Sequence, residues 1–116
     1  MTIHQREIVE VNFRLPGGEY LPHPVIVLSN DAVNDFEEGF IGVMLSTRVQ
    51  DDDFSFHLTE DMLTHKPRNK GQVRCHLIAL LDDIEVTGKF GMIKQKYFEH
   101  LIDKIFEIVF LKSNDS

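Results

Sequence analysis

The chain has 116 residues, 42% of them apolar, with 7 glycines, a length that fits one domain and a composition that excludes disorder as the whole account. Twelve Lys+Arg against nineteen Asp+Glu leave a formal net charge of -7. That balance disfavours nonspecific attraction to bulk nucleic acid or anionic membrane unless a local basic groove overrules it. Cys75 is the single cysteine, so no intramolecular disulfide can form, and a reducing cytoplasm is the expected compartment. No run reaches the length of a membrane span, and the opening MTIHQREIVEV has no signal-peptide core, so no membrane partner is expected.

Taken in chain order, Glu7 to Phe13 alternates Val9, Val11 and Phe13 with Glu10 and Asn12, the period-2 pattern of a half-buried strand. Leu15 to Pro22 carries two prolines and two glycines and reads as a loop. Val25 to Leu28 is a short β-branched run, read as a strand buried on both faces. Asn30 to Glu38 offers capping residues and predicts one helical turn or a loop. Phe40 to Thr47 is a third strand, Asp51 to Asp53 a charged turn, and Phe54 to Leu58 an alternating fourth strand. Lys66 to Gly71 is a basic loop, Val73 to Leu81 a long apolar-rich strand, and Val86 to Ile93 a short strand or turn. From Gln95 to Phe110, apolar Phe98, Leu101, Ile102, Ile105, Phe106, Ile108 and Val109 recur at three- and four-residue steps, which predicts an amphipathic helix. Residues 1–112 are expected to form one domain and 113–116 a frayed tail. Many short strands with one terminal helix predict a mainly β fold: a small barrel or highly curved sheet capped by that helix.

Several of these segments resemble one family. Glu7-Ile-Val-Glu-Val-Asn-Phe13, a glycine loop, Pro24-Val-Ile-Val-Leu-Ser-Asn30 and Asn34 are similar, in that order, to the opening of MazF/PemK-type toxins. Val43-Met-Leu-Ser-Thr47 resembles the family's third strand, which ends in a hydroxyl pair. Phe54-Ser-Phe-His-Leu58 and Gln72-Val-Arg74 resemble two later strands. The resemblance implies an SH3-like barrel of about five to seven strands that forms a homodimer. It further implies a metal-independent endoribonuclease that acts on single-stranded RNA through 2′-hydroxyl attack and is paired with a cognate antitoxin. No cofactor is implied.

Such a cleavage needs a group to take the 2′-hydroxyl proton, a donor or cation for the phosphorane charge, and an acid for the leaving oxygen. Ser46 and Thr47 stand at the family's hydroxyl position, where they would orient the 2′-hydroxyl or a phosphate oxygen; an ordinary strand-end pair bonding its own loop is the alternative. His23 precedes Pro24 where the family carries arginine. An imidazole gives up the bidentate phosphate clamp of arginine but can move protons, and Glu19 in the preceding loop could orient it. The alternatives are a surface loop histidine in a weakened homologue and a solvated carboxylate. Arg14, Arg48, Arg74 and Lys70, with Lys66 and Arg68, form the expected phosphate surface, or else a solvated charged loop. Tyr20, Phe36 and Phe40 could stack on bases but are more often core. The six histidines (His4, His23, His57, His65, His76 and His100) show no zinc-ligand spacing, so no metal is expected. Cys75, in an apolar strand, reads as an inert thiol.

The reading therefore requires His23 and the Ser46–Thr47 hydroxyls to converge on one positively lined hollow. Its rival is a non-catalytic interaction module on the same fold, favoured by the missing arginine and the acidic balance.

Overall fold

The structure is a computed structural model that describes residues 2–14, 17–48, 50–66 and 71–114, with every side chain among them except that of Phe13. Six strands form one antiparallel sheet: β1 (Glu7–Arg14), β2 (Tyr20–Val27), β3 (Gly39–Ser46), β4 (Ser55–Leu58), β5 (Gly71–Asp82) and β6 (Val86–Met92), in the spatial order β4-β5-β3-β2-β1-β6. Helix α1 (Asp31–Glu37) joins β2 to β3, and α2 (Gln95–Ile105) follows β6 and continues as a π-helical turn through Phe110. Among the described residues no helix is long and apolar enough to cross a membrane.

The ladder does not close into the expected barrel. Among the described residues, the two ends of the sheet meet through one isolated bridge between Leu63 and Ile93, which lie just beyond the edge strands β4 and β6. Register shifts in the β3–β5 and β1–β6 ladders bend the sheet, the usual effect of bulges. The result is a curved sheet whose two ends touch rather than a continuous ring.

Strand β2 begins earlier than its sequence suggests, at Tyr20, inside the proline- and glycine-rich stretch read as loop. The register explains how two prolines are tolerated. Pro22 and Pro24 pair with Asn12 and Glu10 of β1, while β3 pairs only with Val25 to Val27. Residues two apart present their N–H positions to the same edge, so both missing donors fall on the edge that β3 leaves unpaired.

Between β2 and β3 a seven-residue helix forms where one helical turn or a loop was expected. The side chain of Asn30 caps it by accepting from the Val33 N–H at 3.0 Å, and buried Asn34 accepts a 2.5 Å bond from the Ser29 hydroxyl.

Alternation along the strands produces an apolar cluster on each face. One holds Ile8, Ile26, Val43, Leu45, Val73 and Cys75 and is covered by Phe98, Leu101 and Ile105 of α2. The other holds Ile3, Val9, Val11, Val25, Val27, Phe40 and Met44. The expected C-terminal helix is thus a core lid through Ile105, and Val109 of the following turn still packs against the same cluster, while Phe106 and Phe110 are exposed.

Candidate functional site: a groove at the end of the third strand

A groove of about 860 Å³ opens beside the first apolar cluster, with Ile8, Leu45 and Leu63 in its walls. Ser46 and Thr47 enter it from the end of β3, Glu10 and Pro24 from β1 and β2, His65 and Lys66 from the segment after β4, and Lys89, Phe90 and Gly91 from β6. It therefore combines two hydroxyls, a carboxylate, an imidazole, two ammonium groups and a half-exposed aromatic ring.

The hydroxyl wall is fixed from β5. Ser46 lies opposite Gln72 in the ladder. The Gln72 side chain is buried; its Oε1 accepts from the Gln50 N–H at 3.1 Å, and its Nε2 donates to the Gln50 carbonyl at 3.2 Å. Two residues along the same strand, Arg74 donates to both carboxylate oxygens of Asp52 at 3.1 and 2.9 Å and to the Ser55 hydroxyl at 2.6 Å. Asp52 also accepts from the Phe54 N–H. The Arg74 guanidinium, followed by those backbone and hydroxyl donors, holds the Asp52 carboxyl below the usual carboxylate range. The Ser46 Oγ accepts from the Arg48 N–H at 3.1 Å, which leaves its own proton to donate elsewhere.

The two groove cations differ. Lys66 Nζ lies 3.7 Å from Glu60, and both side chains are mostly exposed, a pairing worth little. Lys89 Nζ is 3.1 Å from the buried Glu7 carboxylate and donates to the Thr2 carbonyl at 2.6 Å. Lys66 is accordingly the cation with charge to offer a ligand.

Residues 4–109 match the family model described as the PemK-like, MazF-like toxin of type II toxin–antitoxin systems. The chain belongs to this family. Among solved structures it is similar to MazF from Deinococcus radiodurans, at 16% identity with a TM-score of 0.78, covering 96% of this chain and 99% of that one. An endoribonuclease from a mycobacterial species, solved in complex with its cognate antitoxin, aligns at 15% identity and a TM-score of 0.74 over 97% and 99% of the two chains. A MazE–MazF structure from Deinococcus radiodurans aligns at 16% identity and a TM-score of 0.76 over 97% and 100%. Among curated proteins, none matches the sequence.

Placed on this PemK/MazF-like fold, the residues singled out in the sequence fall in several places. Ser46 and Thr47 share the groove, and exposed Arg48 follows them directly. His23 does not share it. It sits within β2 opposite Val11, half-buried, on the face of Val25 and Val27, whereas its neighbour Pro24 faces the groove. Glu19 is exposed in the loop after Gly17 and Gly18. Arg14 ends β1, four residues or about 13 Å along the strand from Glu10. Arg74 is committed to Asp52 and Ser55, so meeting a phosphate would require it to leave them. Lys70 and Arg68 lie outside the described residues.

Phe40 is core, Phe36 is exposed on α1, and Tyr20 is exposed away from the groove; none of the three lines it. Burial pushes the Cys75 thiol up, consistent with an inert core thiol. Among the described residues no three His, Cys, Asp or Glu side chains gather where they could hold a metal ion.

Glu10, His65, Lys89 and Phe90 are groove residues that sequence reasoning missed. Glu10 reads as an ordinary outward residue of an alternating strand, and nothing local sets His65 apart from the other five histidines. One signal was available: the His65-Lys66 pair opens the basic loop.

Proposed function

We propose that this PemK/MazF-like protein is a toxin-type endoribonuclease. It cleaves single-stranded RNA by 2′-hydroxyl attack on the adjacent phosphate without a metal ion, as a cytoplasmic homodimer held in check by a cognate antitoxin. The observation that carries the reading is the meeting, in one groove of a fold shared with MazF structures, of the Ser46–Thr47 hydroxyls with the Lys66 ammonium. Ser46, already accepting from the Arg48 N–H, directs its proton at a phosphate oxygen or the attacking hydroxyl. Thr47 supplies a second donor. Lys66 and Arg48 offset the charge that grows on the phosphorane, Arg14 extends the cationic track, and Phe90 offers a face for base stacking. The mycobacterial neighbour solved with its antitoxin supports the partner.

A second reading, an interaction module that has lost catalysis, is favoured by two observations: His23 stands on the other sheet face from the groove, and Arg74 is paired within the fold. The test is incubation of the pure protein with fluorescent RNA oligonucleotides in EDTA. The wild type is expected to cleave, and Ser46→Ala to lose about 100-fold, the scale of one transition-state hydrogen-bond donor. Cleavage that survives in His23→Ala removes that imidazole, and Glu19 as its orienting group, from the chemistry. Absence of cleavage by the wild type at high enzyme concentration overturns the endoribonuclease reading in favour of the module.

A further inference from the structure

We propose that His65 is the catalytic acid of the groove and Glu10 its base, an assignment that rests on the endoribonuclease reading above. The sequence draws attention to His23, but the groove has an imidazole of its own, and the fold is shaped around it.

Gly91 of β6 lines the groove with φ +105°, and a Cβ placed there would stand 2.6 Å from His65 Nδ1 and 2.9 Å from Thr64 Oγ1. Glycine is thus required twice, once for the backbone and once to make room for the ring. The ring is also held. The Thr64 N–H donates to the Met92 carbonyl and the Met92 N–H donates to Thr64 Oγ1, both at 2.9 Å. This fixes a hydroxyl 3.0 Å from His65 Nδ1. Having accepted from Met92, that hydroxyl still has one proton to give and one lone pair to offer. It can therefore bond Nδ1 whether that nitrogen is protonated or not, keeping the ring in place through a cycle of proton loss and gain and leaving Nε2 for the proton transfer.

Glu10 is the complementary group. Its Oε1 accepts from the Thr87 hydroxyl at 2.7 Å, and its residue pairs with Gly88 of β6. His65 packs against Gly91 of the same strand, so the two groups attach about 10 Å apart along β6, a span that two side chains can close around one phosphodiester. Between them stand Lys89 and Phe90. A carboxylate can only accept, whereas imidazole is the side chain suited to giving a proton near neutral pH, so the roles divide in one way.

The 2′-hydroxyl gives its proton to Glu10 as the 2′-oxygen–phosphorus bond forms. The bond from phosphorus to the 5′-oxygen breaks, and His65 donates its proton to that oxygen. The products are a 2′,3′-cyclic phosphate and a free 5′-hydroxyl; solvent then restores both groups.

The test compares an ordinary RNA oligonucleotide with one whose scissile 5′-oxygen is replaced by sulfur. A thiol leaves without protonation because its pKa lies near 8.5. His65→Ala is expected to lose about 100- to 10,000-fold on the oxygen substrate, the usual worth of a positioned acid, and to cleave the sulfur substrate within about threefold of the wild type. Glu10→Gln, which keeps an acceptor for Thr87, is expected to lose activity on both. Two results would overturn the assignment while leaving the endoribonuclease reading intact: wild-type rates for His65→Ala on the oxygen substrate, or equal losses on both substrates. Failure of the wild type to cleave either substrate would remove the reading and the assignment together.

Discussion

The loop after β3 and the loop before β2 each carry residues to which the sequence assigns chemistry, and they are built differently. Residues 50–54 are tied to β5 by two buried side chains, Gln72 reaching Gln50 and Arg74 reaching Asp52. Residues 17–19 have two glycines at φ +109° and +94°, with nothing within 4 Å of either would-be Cβ. Among the described residues, none of the three joins a side-chain hydrogen bond. The first loop fixes the hydroxyls and Arg48, the preorganisation that electrostatic catalysis requires under the proposed reading. The second has no such support. Anchorage, more than the chemical type of its residues, marks the loop that can serve a site.

The sharpest way to break this comparison is to cut an anchor. Arg74→Ala removes three hydrogen bonds and the packed stem of a side chain that is 10% exposed. It is expected to destabilise the fold by about 2 kcal/mol, a fall of roughly 8 °C in a melt, and to release residues 50–54. Cleavage should fall further than RNA affinity, because misplaced hydroxyls hurt the transition state more than the bound strand. An unchanged melt would remove Arg74 as an anchor and restore it to the phosphate surface.

Gly91→Ala should come next, at about 1–2 kcal/mol for a strained positive φ, measured by urea unfolding. Its cleavage loss should match that of His65→Ala, since the added methyl takes the ring's place.

The same anchor has a pH signature. Asp52 titrates lower in the folded chain than the usual 3.9 of an unfolded one. Its contribution to stability is therefore fully present above that value and drains away as pH falls through the folded value. The gap between wild type and Arg74→Ala should stay constant from pH 7 to about 5 and narrow below about 4, as read from urea midpoints. A gap that widens in acid would show that another group carries it.

The strands β1 and β4 were legible because each alternates over several residues, β3 because Phe40 to Leu45 is a short apolar run mostly buried on both faces, and α2 because its buried Phe98, Leu101 and Ile105 keep a helical spacing. The family motifs placed Ser46 and Thr47 at a strand end, and the ladder agrees. What pattern could not convey is which face a motif residue takes. His23 and Pro24 are neighbours in sequence and opposite in space, and a slip of one residue exchanges them. Gln72-Val-Arg74 was legible as a motif, but its work as the anchor of a loop some twenty residues earlier depends on side chains that meet only after β3, β4 and β5 pair. The groove imidazole was hidden for the same reason: the glycine that accommodates His65 lies 26 positions downstream.

The smallest expected effects test the exposed residues of the two loops against each other. Arg48→Ala and Glu19→Ala should each change stability by less than about 0.5 kcal/mol, as surface substitutions do. They should differ in RNA binding. Arg48 follows the anchored hydroxyls, so its loss should lower the slope of log affinity against log salt by about 0.7, the share of one phosphate contact on a single strand. Glu19 is exposed and joins no side-chain hydrogen bond among the described residues, so its loss should leave both slope and cleavage unchanged. If Glu19→Ala lost cleavage instead, Glu19 would have to meet the RNA without such anchorage, and the contrast between the two loops would no longer say which of them serves the site.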